Sequence, residues 1–250
     1  MININGIKIL NDNIVWIISK KKKCIIIDPG LADPIIKKLE KYRLKPIIIF
    51  ITHLHYDHVN GILKLLQYYP KIKIFTPKKI KLIKKKQYVI KKKQKLIIFN
   101  KIFKIFLTPG HTKLDISYYF YPYLFCGDIM FSGGCGKTID GCSKNLYYSF
   151  KKIMKLPQET ILFNSHEYTF FNLRFSYLFF KQDWKINEYF EFIKNNPKQL
   201  KNFSNLKFEK RINVFLKIKK NNIKNIINYW YNSKNEIDYF CNLRKIKDQF

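Results

Sequence analysis

An α/β fold, with helices packed outside two central sheets and a separate helical segment at the end, is predicted by three features of this 250-residue chain. Short β-branched apolar runs alternate with amphipathic stretches in two similar halves. The histidines and their carboxylate companions fall at the ends of those runs, where strands hand over to loops. After about Phe170 the strand pattern stops, and apolar residues take helical spacing over 173–194, 223–231 and 236–246.

Residues 7–10 and 14–18 read as strands around the turn Asn11-Asp12-Asn13, and 24–27 as a third, closed by Asp28-Pro29-Gly30. Asp28 is open to two readings, a turn residue alone or a carboxylate standing behind a ligand histidine. Pro34 in a first turn, with Asp33 ahead as a cap, predicts a helix to about Arg43. A buried strand over 46–51 leads into the loop Thr52–Gly61, and 61–69 has helical spacing. Residues 72–75 form a short strand, and 77–95 are basic and poorly patterned. Strands are expected over 96–99, 102–107, 116–120 and 123–126, with Tyr121-Pro122 as the turn between the last two. A glycine-rich loop over 132–137 permits close backbone approach to a ligand. A helix over 146–156 and a strand over 160–163 follow. Tyr177, Phe179, Phe180, Tyr189 and Phe190 are assigned to the core of the helical segment.

The formal charge is +31, from 48 Lys and Arg against 17 Asp and Glu. Lysine, asparagine and isoleucine rise together, which points to drift of an AT-rich coding sequence rather than a built nucleic-acid surface. Cys24, Cys126, Cys135, Cys142 and Cys241 are odd in number and form no CxxC pair, as in a reduced cytoplasmic setting. The N-terminus lacks a basic leader region and a small-residue cleavage site, and no apolar run reaches the length of a membrane span. A monomer without a specific nucleic-acid or membrane partner is expected.

The stretch THLHYDHVNG places His53, His55, Asp57 and His58 within six residues. In extended backbone His53 and His55 point the same way, while Asp57 and His58 turn toward another point, which suggests two ions side by side. The competing reading is unrelated histidines in a polar loop. Against it, the remaining two histidines, His111 and His166, also follow strand-like runs. Asp128 can bridge, giving one site of His53, His55, His111 and Asp128 and another of Asp57, His58, His166 and Asp128. Nitrogen and carboxylate donors suit zinc, iron or manganese alike. Two such ions sharing a water bring its pKa toward neutrality and make hydroxide available as a nucleophile. No histidine is left over for a Ser–His or Cys–His device.

The segments THLHYDH, PGHT, LFCGDIMFSGGCGK and SHEYT, with the ending LRKIKDQF, resemble the metallo-β-lactamase superfamily and, within it, the glyoxalase II (hydroxyacylglutathione hydrolase) family over nearly the whole chain. The resemblance implies a four-layer αββα sandwich over 1–168 and a helical substrate-binding domain over 169–250. It implies two divalent ions, zinc foremost, on His53, His55, Asp57, His58, His111, Asp128 and His166, with Asp57 and Asp128 as the catalytic carboxylates. Lys137, Tyr168, Arg244 and Lys247 fall where the family contacts glutathione. The implied reaction is hydrolysis of S-(R)-lactoylglutathione, a small-molecule glutathione thioester, to glutathione and D-lactate by a metal-bridging hydroxide. Two departures stand out. Ile139 occupies a usually aromatic position, and Asp115 stands where relatives often carry a second histidine after PGHT. Other hydrolases of the superfamily, a lactonase or an RNA-processing nuclease, are the alternative within enzymes. A one-iron persulfide dioxygenase would not need the second ligand set, and an inactivated binding module would not keep all seven ligands.

If the lysine enrichment is drift, RNA or DNA binding is weak, collapses with added salt and shows no sequence preference, as a filter-binding titration across salt concentrations would register. Tight binding near physiological salt would instead revive the nuclease reading.

Overall fold

Isoleucine and phenylalanine runs buried on both faces form strands at the centre of the molecule, as sheets covered on either side require. The structure, a computed structural model, describes residues 1–179, 181–197 and 203–250. The first sheet has six strands in chain order: β1 (Asn3–Ile9), β2 (Asn13–Lys20), β3 (Lys23–Ile27), β4 (Lys45–Phe50), β5 (Lys73–Thr76) and β6 (Gln87–Val89). β1 to β3 are antiparallel neighbours, and β3 to β6 run parallel. The second sheet takes β7 (Gln94–Ile98), β8 (Lys101–Leu107), β9 (Ile116–Phe120) and β10 (Tyr123–Phe125). After a two-stranded ribbon of β11 (Met130–Phe131) and β12 (Gly134–Cys135), it is completed by β13 (Ile161–Phe163) and β14 (Phe203–Asn205).

The two-residue period of the strands divides their side chains between two cores. Ile14, Trp16, Ile18, Ile25, Ile27 and Phe50 point inward, where they meet Phe103, Tyr118, Phe120 and Phe125 of the second sheet. Their sequence neighbours Val15, Ile17, Cys24, Ile26 and Ile49 point outward against α1 (Ala32–Lys41) and α3 (Ile62–Tyr68). On the far side, Tyr119, Leu124 and Cys126 pack against Leu146, Phe150 and Ile153 of α4 (Ser143–Ile153). Each such apolar side chain contributes about 1.5–3 kcal/mol on burial. The result is the expected αββα sandwich.

Beyond it come α5 (Thr169–Phe179), α6 (Trp184–Asn195), α7 (Leu206–Ile212), α8 (Asn221–Trp230) and α9 (Glu236–Asp248). Phe175, Ile186, Leu206, Ile223, Phe240 and Leu243 join these helices to the outer core of the second sheet.

Several expectations are corrected. The ligand-rich stretch is not all loop: α2 (Tyr56–Val59) is a single helical turn carrying Asp57 and His58. Asp33 is not a cap, since α1 begins one residue earlier at Ala32 and Asp33 instead pairs with Lys64. The apolar spacing over 173–194 belongs to two helices. Phe190 of α6 returns to stack on Phe170 and Tyr177 of α5, and periodicity alone cannot distinguish one long helix from such a hairpin. Phe179 and Phe190 are core, Tyr177 and Tyr189 flank it, and Phe180 lies outside the described residues. Besides the short ribbon of β11 and β12, two strands lie in stretches without a strand pattern, β6 within the basic run and β14 within the helical segment. Both lie at sheet edges, where only one neighbour has to be matched.

Tyr118 ties the two sheets together just below the ligand loop. Its buried hydroxyl donates across the interface to Ile51 O at 2.8 Å. Tyr118→Phe leaves that carbonyl without its donor and should cost about 1–3 kcal/mol in urea unfolding. An unchanged midpoint would show that the carbonyl finds another partner.

Candidate metal centre

Strand ends along one rim of the sandwich supply the site. β4 delivers His53 and His55, β8 delivers His111, β10 delivers Asp128 and β13 delivers His166. The turn of α2 lifts Asp57 and His58 toward the same space because the Asp28-Pro29-Gly30 turn packs directly beneath it. A Cβ on Gly30 would lie 1.8 Å from Asp57 O, so only glycine permits that approach.

All seven predicted ligands come together. His55 Nδ1 lies 3.1 Å from His53 Nε2 and 3.0 Å from His111 Nε2. On the other side, His58 Nε2, His166 Nε2 and Asp57 Oδ2 are mutually 3.4 Å apart. Asp128 stands between the two groups: Oδ2 is 3.6 Å from His111 Nε2 and 3.4 Å from His166 Nε2, and Oδ1 is 3.4 Å from His58 Nε2. Metal–nitrogen bonds of about 2.0–2.1 Å at a tetrahedral ion put donor atoms about 3.3 Å apart, so these separations are the edges of coordination polyhedra. The residues present fit divalent metal, and the centre binds it.

The electrostatics agree. Burial, reinforced by the neighbouring rings, lowers the pKa of His53 and His55, which keeps them neutral with a lone pair to offer. Burial opposes charge on His58 and His166 as well, yet Asp128 overrides it and raises both. Burial alone would raise Asp128 and Asp57. The histidines pull Asp128 well below the carboxylate range, and the hydrogen bond with His58 lowers Asp57. The cluster therefore demands positive charge, from protons or from metal.

Behind the ligands stands a second set of groups that aims them. His58 Nδ1 faces Asp28 Oδ2 at 3.1 Å, which decides the open reading of Asp28. Asp28 also accepts from Thr52 N and Thr52 Oγ1, both at 2.7 Å, and Thr52 Oγ1 meets His53 Nδ1 at 3.1 Å. His111 Nδ1 meets Lys137 O at 2.5 Å, and His166 Nδ1 meets Asp12 Oδ1 at 2.7 Å. Asn13 Nδ2 donates to Asp57 Oδ2 at 2.6 Å, and Ser165 Oγ to Asp128 Oδ1 at 2.6 Å. Sequence reading missed Asp12 and Asn13, which looked like turn residues. Their only signal was an acid and an amide in the turn ahead of a buried strand. It also missed Asp115, whose carboxylate closes the PGHT loop by accepting from Gly110 N, Thr112 N and Thr112 Oγ1. Burial pushes that acid up to about 7.

Of the four residues singled out for substrate, Tyr168 and Lys137 adjoin His166 and His111, and Arg244 and Lys247 reach the glycine-rich loop. Tyr168 stacks on the His166 ring with centroids 5.0 Å apart. Lys137 is exposed, two residues before exposed Ile139. Arg244 and Lys247 share a face of α9 over the Phe215 ring. Arg244 is buried, and its terminal nitrogens are committed to Cys135 O at 3.1 Å and Asp248 Oδ1 at 3.0 Å. Lys247 bonds Asn172 Oδ1, and burial draws its ammonium down to about 8.

Comparison with known proteins covers nearly the whole chain. Residues 10–166 match the metallo-β-lactamase superfamily model, and 167–250 match the model of the hydroxyacylglutathione hydrolase C-terminus. The chain is 41% identical to a hydroxyacylglutathione hydrolase of Buchnera aphidicola subsp. Baizongia pistaciae, over 97% of each chain. It is 38% identical to one from Klebsiella pneumoniae, over 99% of this chain and 100% of that one. Among solved structures, ETHE1 from Myxococcus xanthus superposes with a TM-score of 0.69 at 17% identity, over 97% of this chain and 90% of that one, a likeness of fold.

Asp28→Asn removes the charge behind His58 and disturbs Thr52. Metal affinity measured by chelator competition should fall on the order of tenfold or more. Wild-type affinity in the variant would reduce Asp28 to a turn residue.

Proposed function

The chain belongs to the metallo-β-lactamase superfamily and, within it, to the hydroxyacylglutathione hydrolases, and from that premise we propose that it hydrolyses S-(R)-lactoylglutathione to glutathione and D-lactate. The observation that carries the reading is geometric. The hydroxyacylglutathione-type C-terminal segment sets Arg244 against the loop whose Lys137 carbonyl lies on His111.

In this reading residues 1–168 hold the metal centre and 169–250 recognise the glutathione moiety. Two ions, zinc foremost among zinc, iron and manganese, sit on His53, His55, His111 and Asp128 and on Asp57, His58, His166 and Asp128. When bound, the metal supplies an acidified water as nucleophile and polarises the thioester carbonyl. Asp128 separates and shares the two ligand groups, and Asp57 completes the second. Tyr168, half-buried beside acidic groups, has its pKa raised and stays a hydrogen-bond donor. Lys137 and Lys247 offer ammonium groups to the carboxylates of the tripeptide, with Arg244 fixed between Lys247 and the loop. Because the departing thiol has a pKa near 8.5, little protonation of it is needed. A reduced cytoplasmic setting suits the five free cysteines, and the chain acts as a monomer. No helix among the described residues is long and apolar enough to cross a membrane.

The test is an assay of purified protein on lactoylglutathione, with metal content measured on the same sample. Turnover with two ions per chain is expected, and full activity with one ion would remove the binuclear mechanism. Lys247→Ala should raise KM roughly 10- to 100-fold with kcat nearly intact, since the contact is equal in ground and transition states. A small thioester lacking the tripeptide should not respond. Unchanged KM for lactoylglutathione would make the basic ending a surface feature.

A further inference from the structure

The glycine-rich loop between β11 and Lys137 is gripped peptide by peptide from the C-terminal helices. Asn213 Nδ2 donates to Phe131 O at 3.3 Å and to Gly134 O at 2.9 Å. Asn172 Nδ2 donates to Ser132 O at 3.0 Å, and Arg244 to Cys135 O at 3.1 Å. All of these give hydrogen to loop carbonyls. Glu209 of α7 does the opposite, its Oε2 accepting the Gly133 N–H at 2.9 Å. The Glu209 carboxylate is fully buried, also accepts from Ser204 Oγ and Asn213 Nδ2, and has only neutral donors in these contacts. An acid buried among neutral donors is an expensive way to add stability, because an apolar residue of similar size serves that end as well. What its side-chain oxygen does, and an apolar residue cannot, is fix the direction of the Gly133 peptide. From there the loop runs hard against the metal centre. A Cβ on Gly136 would fall 1.9 Å from Asp128 O, and the next carbonyl, of Lys137, takes the His111 Nδ1 proton.

We infer that Glu209 is a positioning residue for the metal centre, holding the 131–137 loop in the register that presents the Lys137 carbonyl to His111 Nδ1. His111 then has its Nε2 lone pair aimed at the metal, and Lys137 has its ammonium turned toward substrate. The inference rests on the reading of His111 as a ligand and Lys137 as a substrate contact. It adds that both are set from a residue that touches neither.

The experiment compares wild type, Glu209→Ala and Glu209→Gln, loaded with zinc. One readout is zinc affinity by competition with a chromophoric chelator. The other is the proton spectrum, in which the His111 Nδ1–H is a downfield resonance protected from exchange. Glu209→Ala should broaden or lose that resonance and weaken zinc binding on the order of tenfold. Glu209→Gln can keep its oxygen on the Gly133 N–H and turn its amide toward Ser204, so it should stay near wild type in both. A lowered melting temperature in Glu209→Ala with the resonance and zinc affinity unchanged overturns the inference, as does a Gln variant as impaired as Ala. If Glu209→Ala does not fold, Glu209→Asp, which withdraws the oxygen by one methylene, is read the same way. Neither readout needs turnover. A wild type inactive on lactoylglutathione therefore counts against the substrate reading and leaves this one standing.

Discussion

Ring nitrogens that face one another at hydrogen-bond distance, inside a rim where most of them are buried, are the constraint on which the structure depends. His53, His55 and His111 converge at 3.0–3.1 Å, and His58, His166 and Asp57 at 3.4 Å. Lone pairs aimed at each other are costly unless a cation sits among them. Such a cluster persists only if each ligand is pinned from behind, and Thr52, Asp28, the Lys137 carbonyl and Asp12 do this for four of the histidines. The pins come from the ends of β3 and β4, from the turn between β1 and β2 and from the loop after β12, so no single strand owns the site.

That distribution explains the architecture around it. The two sheets must stay in register at the rim, and buried polar bridges hold them there. Tyr118 spans from β9 to Ile51 O, Trp16 Nε1 donates to Asn164 O at 2.7 Å, and Ile14 N donates to Ser165 O at 2.7 Å. Phe50 stacks on Tyr118 with centroids 4.2 Å apart at the end of the strand that leads to His53. The isoleucine-rich inner core is thus more than oil, because it sets where the strand ends stop.

Much of this was legible in the sequence for a physical reason. Strands buried on both faces must be apolar throughout, and His and Asp are the side chains suited to such a centre, so β2 to β4 and all seven candidate ligands announce themselves by composition. What escaped notice follows from the same logic. Asp12, Asn13 and Asp115 do their work through contacts with residues distant or loop-bound, and in sequence they are ordinary turn residues. Asp28 was undecidable until its distance to His58 was known. The hairpin of α5 and α6 has the periodicity of one helix, and β14 is short and at an edge, so neither leaves a mark that a one-dimensional pattern can hold. Glu209 is the extreme case: a glutamate on a helix otherwise reads as solvent-facing, and only its full burial shows otherwise.

The inventory of protons around the centre limits what leaving group the site can serve. All five histidines converge on the metal centre, and Tyr168 holds its proton more tightly than a free phenol. Asp115 carries an acid near neutrality, but its oxygens are taken up by Gly110 and Thr112 within the loop. Lys247, near 8, is held by Asn172 beside Gly134 of the glycine-rich loop. Among these described residues, the groups that could give up a proton near neutrality are held by other contacts, so the centre suits a leaving group that departs without one. An amine or alkoxide leaves poorly without a proton, whereas the thiolate of a thiol with a pKa near 8.5 leaves without help. The chemistry of the rim and the family of the C-terminal segment converge on a thioester from independent directions.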